Sequence, residues 1–385
     1  MTKKTRTHAD DLRGASRLAV EATRGVTEVV EAMHRTIASG PDILGRPLAG
    51  PARVVTAVVY GTIKGVTGLV GAGLDAALAQ LSPLLGESEP GPERAAVLAA
   101  LNGVLGDYLA ETGNPLAIEM RLCHGGRPLA LDRASLQEAV PRTGKILVLV
   151  HGSSMNEAQW MRAGHDHGAA LASSLGYVPI YVRYNSGLHI SSNGRGLSAM
   201  LESLVEHWPV PVEELSIVGH SMGGLVARSA CHLAEDSGYR WRASLRSLVC
   251  VGSPHHGALL ERGGNLLEVL LGASRYSAPL ARLGRLRSAG VTDMRFGNVL
   301  DEHWEGHDRF ALRRDARRQL ELPVGVRCYA IAASLSPGPG GKLRGDGLVS
   351  VDSALGRHRD PARSLGFPDG HRWIAFGTGH LAGCG

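Results

Sequence analysis

Apolar residues recur at helical spacing through the first hundred positions and then give way to short, continuous apolar runs. Leu12, Ala15, Ala19, Ala22, Val26, Val29, Met33 and Ile37 fall on one helix face, and Val55, Val59, Ile63, Val66, Val70, Leu74, Ala77 and Leu81 repeat the pattern downstream. The intervening SGPDILGRPLAGP is dense in turn-formers, so the two segments predict a helical hairpin. Lys64 divides the second segment into two uncharged runs of ten residues, short of the ~20 that a spanning helix needs. Two roles fit such a hairpin: packing on the main domain or on a second copy of itself, or peripheral contact with a membrane or lipid surface, to which the small residues Gly61, Gly65, Gly68, Gly71 and Gly73 would give close approach. A third helix is predicted from Glu93 to Tyr108, after the linker GESEPGPE.

From Pro115 the period changes. LAIEMRL and RPLALD flank a Gly125-Gly126 turn and predict an antiparallel hairpin. Buried-strand candidates follow, separated by helical stretches: KILVLV (145–150), YVPIYVRY (177–184), LSIVG (215–219), SLVCVGS (247–253), VRCYAIAAS (326–334) and RWIAFG (372–377). Strand alternating with helix predicts an α/β domain whose mostly parallel sheet is covered on both faces, with its chemistry at the carboxyl ends of the strands. The organisation expected is a helical region over 1–112 and a catalytic α/β domain over 113–385.

Composition narrows the function classes. Lys+Arg number 41 against 36 Asp+Glu, a net charge of +5 without a basic stripe, so no nucleic-acid partner is expected. The five cysteines are widely spaced and never form a CxxC pair, which argues against both a disulfide framework and a zinc site and fits a reducing compartment. The opening MTKKTRTHADDLRG has a basic start but no apolar core behind it, so cytoplasmic residence is expected.

Gly219-His220-Ser221-Met222-Gly223 is the most informative segment. With 51 glycines in the chain, about half of one G-x-S-x-G is expected by chance, so context carries the weight. The segment lies between the apolar strand LSIVG and an amphipathic helix predicted to begin at Leu225, where a nucleophile elbow must sit. The serine is held there in a strained turn, and larger side chains two positions away on either side would collide as strand meets helix. Ser221 is thus the candidate nucleophile, at a turn expected to face solvent, with the helix N-terminus beneath it favouring developing negative charge.

A serine hydroxyl needs a base to remove its proton, and an acyl intermediate needs donors for its oxyanion. The Met222 backbone N–H is one donor. KILVLV runs into His151-Gly152-Ser153-Ser154-Met155-Asn156, which makes Ser153 the second, with Gly152 beside it. Asp346 follows the next-to-last strand with glycines on both sides, and Asp352 is its nearest rival as the acid. His380 follows the last strand, whereas His358 and His371 precede it, so His380 completes the order Ser, Asp, His.

Residues from about 115 onward resemble the α/β-hydrolase superfamily in its lipase and GPI inositol-deacylase-like branch. The resemblance is carried by Leu-Val-His-Gly-Ser-Ser-Met-Asn (149–156), Arg-Tyr-Asn-Ser-Gly (183–187), Gly-His-Ser-Met-Gly-Gly (219–224), Gly-Ser-Pro-His-His-Gly (252–257) and Gly-Asp-Gly-Leu-Val (345–349). It implies an eight-stranded sheet with helices on both faces, hydrolysis of acyl esters without a cofactor or metal, and catalytic roles for Ser221, Asp346 and His380. His256 lies near the pocket in such enzymes and is expected here to shape a loop. Related lipases hold calcium through a carboxylate shortly after the catalytic histidine; here His380 is followed by Leu-Ala-Gly-Cys-Gly, so no calcium is expected.

The segment over about 258–322 is expected to be a helical lid or cap insertion, leucine-rich in its first half. Gly152, His220, His256, Leu259 and Leu260 are the substrate-pocket candidates, and an apolar lining favours acyl chains over charged substrates. The expected activity is a serine carboxylester hydrolase of lipase or esterase type. The alternatives are an acyltransferase or intracellular polyester depolymerase with the same triad, and a non-catalytic binding protein on the same fold.

Overall fold

The computed structural model describes residues 14, 17, 92–162, 164–258, 288–309, 315, 317–339 and 343–380. The predicted N-terminal hairpin, apart from Gly14 and Arg17, lies outside the described residues, as does the leucine-rich half of the insertion with Leu259 and Leu260.

An eight-stranded sheet organises the domain. Its strands are β1 (Arg121–His124), β2 (Arg127–Pro128), β3 (Lys145–Val150), β6 (Val178–Arg183), β7 (Glu214–His220), β8 (Leu245–Val251), β9 (Arg327–Ser334) and β10 (Arg372–Phe376), while β4 (Met161–Arg162) and β5 (His165–Asp166) form a separate small hairpin. The order across the sheet is β10-β9-β8-β7-β3-β6-β1-β2. All neighbours from β10 to β6 are parallel, and β1 runs antiparallel to both β6 and β2. Gly125 and Gly126 turn the β1-β2 hairpin at φ 55° and 77°, a backbone that L side chains rarely adopt.

The apolar runs are continuous because both faces of the sheet are covered. Ile146, Val148 and Val150 of β3 join the main core with Ile180, Ile217 and Leu248, whereas Leu147 and Leu149 pack on the other face with Cys123, Trp160 and Tyr181. Helices α4 (Ile190–His207) and α5 (Met222–Ser237) supply Leu197, Leu201, Leu225, Val226 and Ala230 to the main core. On the opposite face, α3 (His167–Leu175) approaches so closely that a Cβ on Gly168 would lie 2.6 Å from the Tyr181 hydroxyl and 2.8 Å from Leu149.

The chain divides into two compact units, Met1–Pro90 with Glu111–Leu116, and Gly91–Ala110 with Ala117–Gly385. Most of α1 (Pro92–Glu111) therefore groups with the sheet, although the sequence placed a boundary near 112. The reason is polar as well as apolar. Asn102 Oδ1 accepts from the Ile118 N–H at 2.8 Å, Ser288 Oγ donates to the Gly103 carbonyl at 2.6 Å, and Ala289 N–H donates to Asp107 at 2.9 Å. No helix among the described residues is long and apolar enough to cross a membrane.

Candidate active site

The parallel strands bring their carboxyl ends to one edge, and the chemistry-bearing residues follow those ends. Ser221 stands between β7 and α5 at φ 52° and ψ −122°, a region costly for any residue with a side chain. Its N–H donates to the Val251 carbonyl at 2.7 Å, tying the turn to the end of β8. Close packing explains the flanking glycines: a Cβ on Gly219 would lie 2.5 Å from Gly224 N, and one on Gly223 would lie 2.3 Å from the Val150 carbonyl oxygen. The helix starts at Met222, three residues earlier than the predicted Leu225, because the strained serine itself serves as the helix boundary. Ser221 is buried rather than solvent-facing. Gly152 covers it so closely that a Cβ there would sit 3.3 Å from the Ser221 Cβ.

His380 and Asp346 meet Ser221 at this edge. The Ser221 hydroxyl lies 2.9 Å from His380 Nε2, and His380 Nδ1 lies 2.7 Å from Asp346 Oδ2. The other carboxylate oxygen, Oδ1, accepts from the N–H groups of Leu348 at 2.9 Å and Val349 at 2.7 Å. All three side chains are buried. Asp352 is exposed on the short helix Val351–Ala354 and takes no part. His371 instead meets the Cys328 carbonyl at 3.1 Å, and His358 packs on His256 with ring centres 5.1 Å apart.

The loop after β3 lies over the elbow. Gly152 N–H donates to Gln159 Oε1 and Ser154 N–H to Ser186 Oγ, both at 2.9 Å. Between them, the Ser153 N–H has no partner among the described residues. Met222, as the first residue of α5, has an N–H with no acceptor in its own helix. Two amides are therefore available to a developing oxyanion.

His220 is buried directly beside this cluster, its ring centre 5.1 Å from that of His380. Burial, reinforced by the neighbouring His380, depresses its pKa to about 3, so it is neutral at ordinary pH. His151, stacked on Tyr184 at 4.2 Å, is pushed down to about 4 by burial. The two histidines of Pro-His-His-Gly make their contacts with other residues. His255 Nδ1 faces Arg228 Nη1 at 3.2 Å, and the His256 backbone N–H donates to Ser353 Oγ at 3.1 Å, so this pair braces a loop. Gln159 belongs to no motif, and nothing in the sequence singled it out; Ser186 lies within Arg-Tyr-Asn-Ser-Gly, but no role was assigned to it. Two surface cavities lie apart from this site, one of about 90 Å³ beside His189 and Trp304 and one of about 870 Å³ beside Arg318 and His371.

Sheet order, elbow and the placement of the loops define an α/β-hydrolase fold. Within it, residues 141–282 match the family model described as PGAP1-like alpha/beta domain. No curated protein sequence matches the chain. Among solved structures, the chain is similar to the mature form of the Bacillus licheniformis lipase BlEst2, at 17% identity and a TM-score of 0.41, over 69% of this chain and 92% of that one. It is also similar to the Staphylococcus hyicus lipase, at 12% identity and a TM-score of 0.35, over 63% of this chain and 89% of that one. A third similarity is to YbtT, a type II thioesterase from the yersiniabactin pathway, at 16% identity and a TM-score of 0.37, over 63% and 88% of the two chains.

Proposed function

We propose that this protein is a serine carboxylester hydrolase of lipase or esterase type, cleaving acyl or lipid esters through an acyl-Ser221 intermediate. The observation that carries the reading is the unbroken line from the Ser221 hydroxyl through His380 to Asp346, at 2.9 and 2.7 Å. His380 Nε2 accepts the hydroxyl proton as Ser221 Oγ attacks the ester carbonyl carbon. Asp346 holds the other imidazole proton on Nδ1, fixing the tautomer and stabilising the imidazolium.

The tetrahedral oxyanion takes hydrogen bonds from the N–H groups of Ser153 and Met222, and the positive end of α5 adds to their effect. Collapse expels the alcohol, which leaves with the proton carried by His380. Water then repeats the sequence on the acyl-enzyme: His380 removes its proton, the carboxylic acid departs and the Ser221 hydroxyl is restored. No step in this chemistry calls on a metal or cofactor.

Hydrolysis of p-nitrophenyl acyl esters tests the reading. Release of p-nitrophenol from short and medium acyl esters faster than from a charged, chain-free ester supports it, and so does its loss in Ser221→Ala. Cleavage of a charged, chain-free ester as fast as the acyl series would contradict an acyl-ester preference. Adding a competing alcohol separates hydrolysis from acyl transfer through the ratio of free acid to new ester.

A further inference from the structure

Three side-chain hydrogen bonds connect the oxyanion loop to the backbone of the base. Gly152 N–H donates to Gln159 Oε1 at 2.9 Å, Gln159 Nε2 lies 2.5 Å from His220 Nδ1, and His220 Nε2 lies 3.2 Å from the His380 carbonyl oxygen. The directions of these bonds are mutually determined. With its oxygen committed to Gly152, the Gln159 amide presents its NH₂ to His220, so Nδ1 must accept and the single imidazole proton resides on Nε2. That proton can only be donated toward the His380 carbonyl. The depressed basicity of His220 agrees with this single-proton form, since a second proton would have to displace the Gln159 donor.

Gln159 is well placed to anchor such a chain. It belongs to the one-turn helix Glu157–Trp160, whose N-terminus is capped by Asn156 Oδ1 accepting from Ala158 N–H at 3.0 Å and whose Trp160 is buried in the second core. At the far end, the His380 N–H donates to the Asp346 carbonyl at 2.9 Å, so the base is held by its backbone from both sides.

We propose that Gln159 and His220 are positioning residues, which hold the Ser153 amide and the His380 imidazole in a common register above Ser221. Neither residue exchanges a proton with substrate. Their effect is exerted through the oxyanion donor and the base, and the inference rests on the esterase reading above.

Full-length wild type, Gln159→Leu, His220→Asn, His220→Gln and the double variant Gln159→Leu/His220→Asn are compared on p-nitrophenyl butyrate, with kcat expressed per active site titrated by a fluorophosphonate. His220→Asn offers an acceptor to Gln159 but cannot reach the His380 carbonyl, whereas His220→Gln restores a donor toward it. Gln159→Leu and His220→Asn are expected to lower kcat by about ten- to a hundredfold with little change in KM, the cost of displacing reacting groups by a fraction of an ångström to 1 Å. His220→Gln should recover part of that loss, and the double variant should be no slower than His220→Asn alone, because both changes break one chain.

Wild-type kcat per titrated site in both single variants overturns the inference, as do multiplicative losses in the double variant. Normalisation to titrated sites excludes loss of folded protein as the explanation. Wild type that forms no adduct at Ser221 overturns the esterase reading and this inference with it; wild type that is labelled there, with unaffected variants, overturns this inference alone.

Discussion

Asp346 holds His380 twice, once through its carboxylate, with Oδ2 2.7 Å from Nδ1, and once through its backbone, whose carbonyl accepts the His380 N–H at 2.9 Å. The second contact sets where the imidazole starts and the first sets which nitrogen carries its proton. Both must hold for Nε2 to face the Ser221 hydroxyl with a free lone pair.

Asp346→Asn should therefore leave the geometry intact and remove the chemistry. Oδ1 is fixed by the N–H groups of Leu348 and Val349, so the substituted NH₂ must point at His380 Nδ1. The imidazole proton is then driven to Nε2, where it opposes the serine hydroxyl. A fall in kcat on the order of 10⁴ is expected, with an unfolding midpoint close to wild type. Retention of more than about a tenth of wild-type kcat in steady-state assays contradicts this role.

Ser221→Ala and Ser221→Gly should separate catalysis from strain. Both remove the hydroxyl proposed as the nucleophile and should lower turnover by several orders of magnitude. Only glycine relaxes the backbone at φ 52° and ψ −122°, so Ser221→Gly should gain about 1 kcal/mol of stability relative to Ser221→Ala in urea unfolding. Equal stability of the two variants would show that the turn stores no strain.

Gly223→Ala should fail differently. Its Cβ would lie 2.3 Å from the Val150 carbonyl oxygen and 2.6 Å from that of His151, both backbone atoms that cannot rotate away. A loss of at least about 3 kcal/mol is expected, seen as a lower urea midpoint or a reduced soluble yield. Wild-type stability would mean that α5 can shift off β3 without cost.

Stability should also fall in mild acid. Burial depresses the pKa of His151, His256 and His303 to about 4 and that of His220 to about 3, against an ordinary imidazole value of 6.5. Between pH 6.5 and about 4 the unfolded chain binds protons that these folded-state histidines refuse, so the folded state loses ground as pH falls. Each tenfold drop in proton affinity corresponds to about 1.4 kcal/mol, and together they predict a loss of at least about 3 kcal/mol across that window. Urea midpoints measured from pH 7 to pH 4 check this; a flat profile would contradict the buried, neutral state of these rings.

What the sequence revealed was local or ordered along the chain. KILVLV and LSIVG specify buried strands because both faces of the sheet are covered, and the position of Asp346 and His380 after the last two long strands follows from their order. The burial of Ser221 was not legible, because the Gly152 loop that covers it arrives from β3, some seventy residues earlier in the chain. Gln159 was missed for the same reason: its partner His220 is 61 residues away, and a glutamine in a one-turn helix has no pattern of its own. The grouping of α1 with the sheet depended on Asn102 and Asp107, polar residues whose partners at 118 and 289 only the folded chain brings near.

Active-site labelling tests the central claim most directly. Intact-protein mass spectrometry after treatment with a fluorophosphonate, followed by peptide mapping, should show one adduct per chain on Ser221, absent in Ser221→Ala and formed much more slowly in Asp346→Asn. A folded wild type that gains no mass, or labelling that persists undiminished in Ser221→Ala, would contradict the proposed nucleophile and the chemistry built on it.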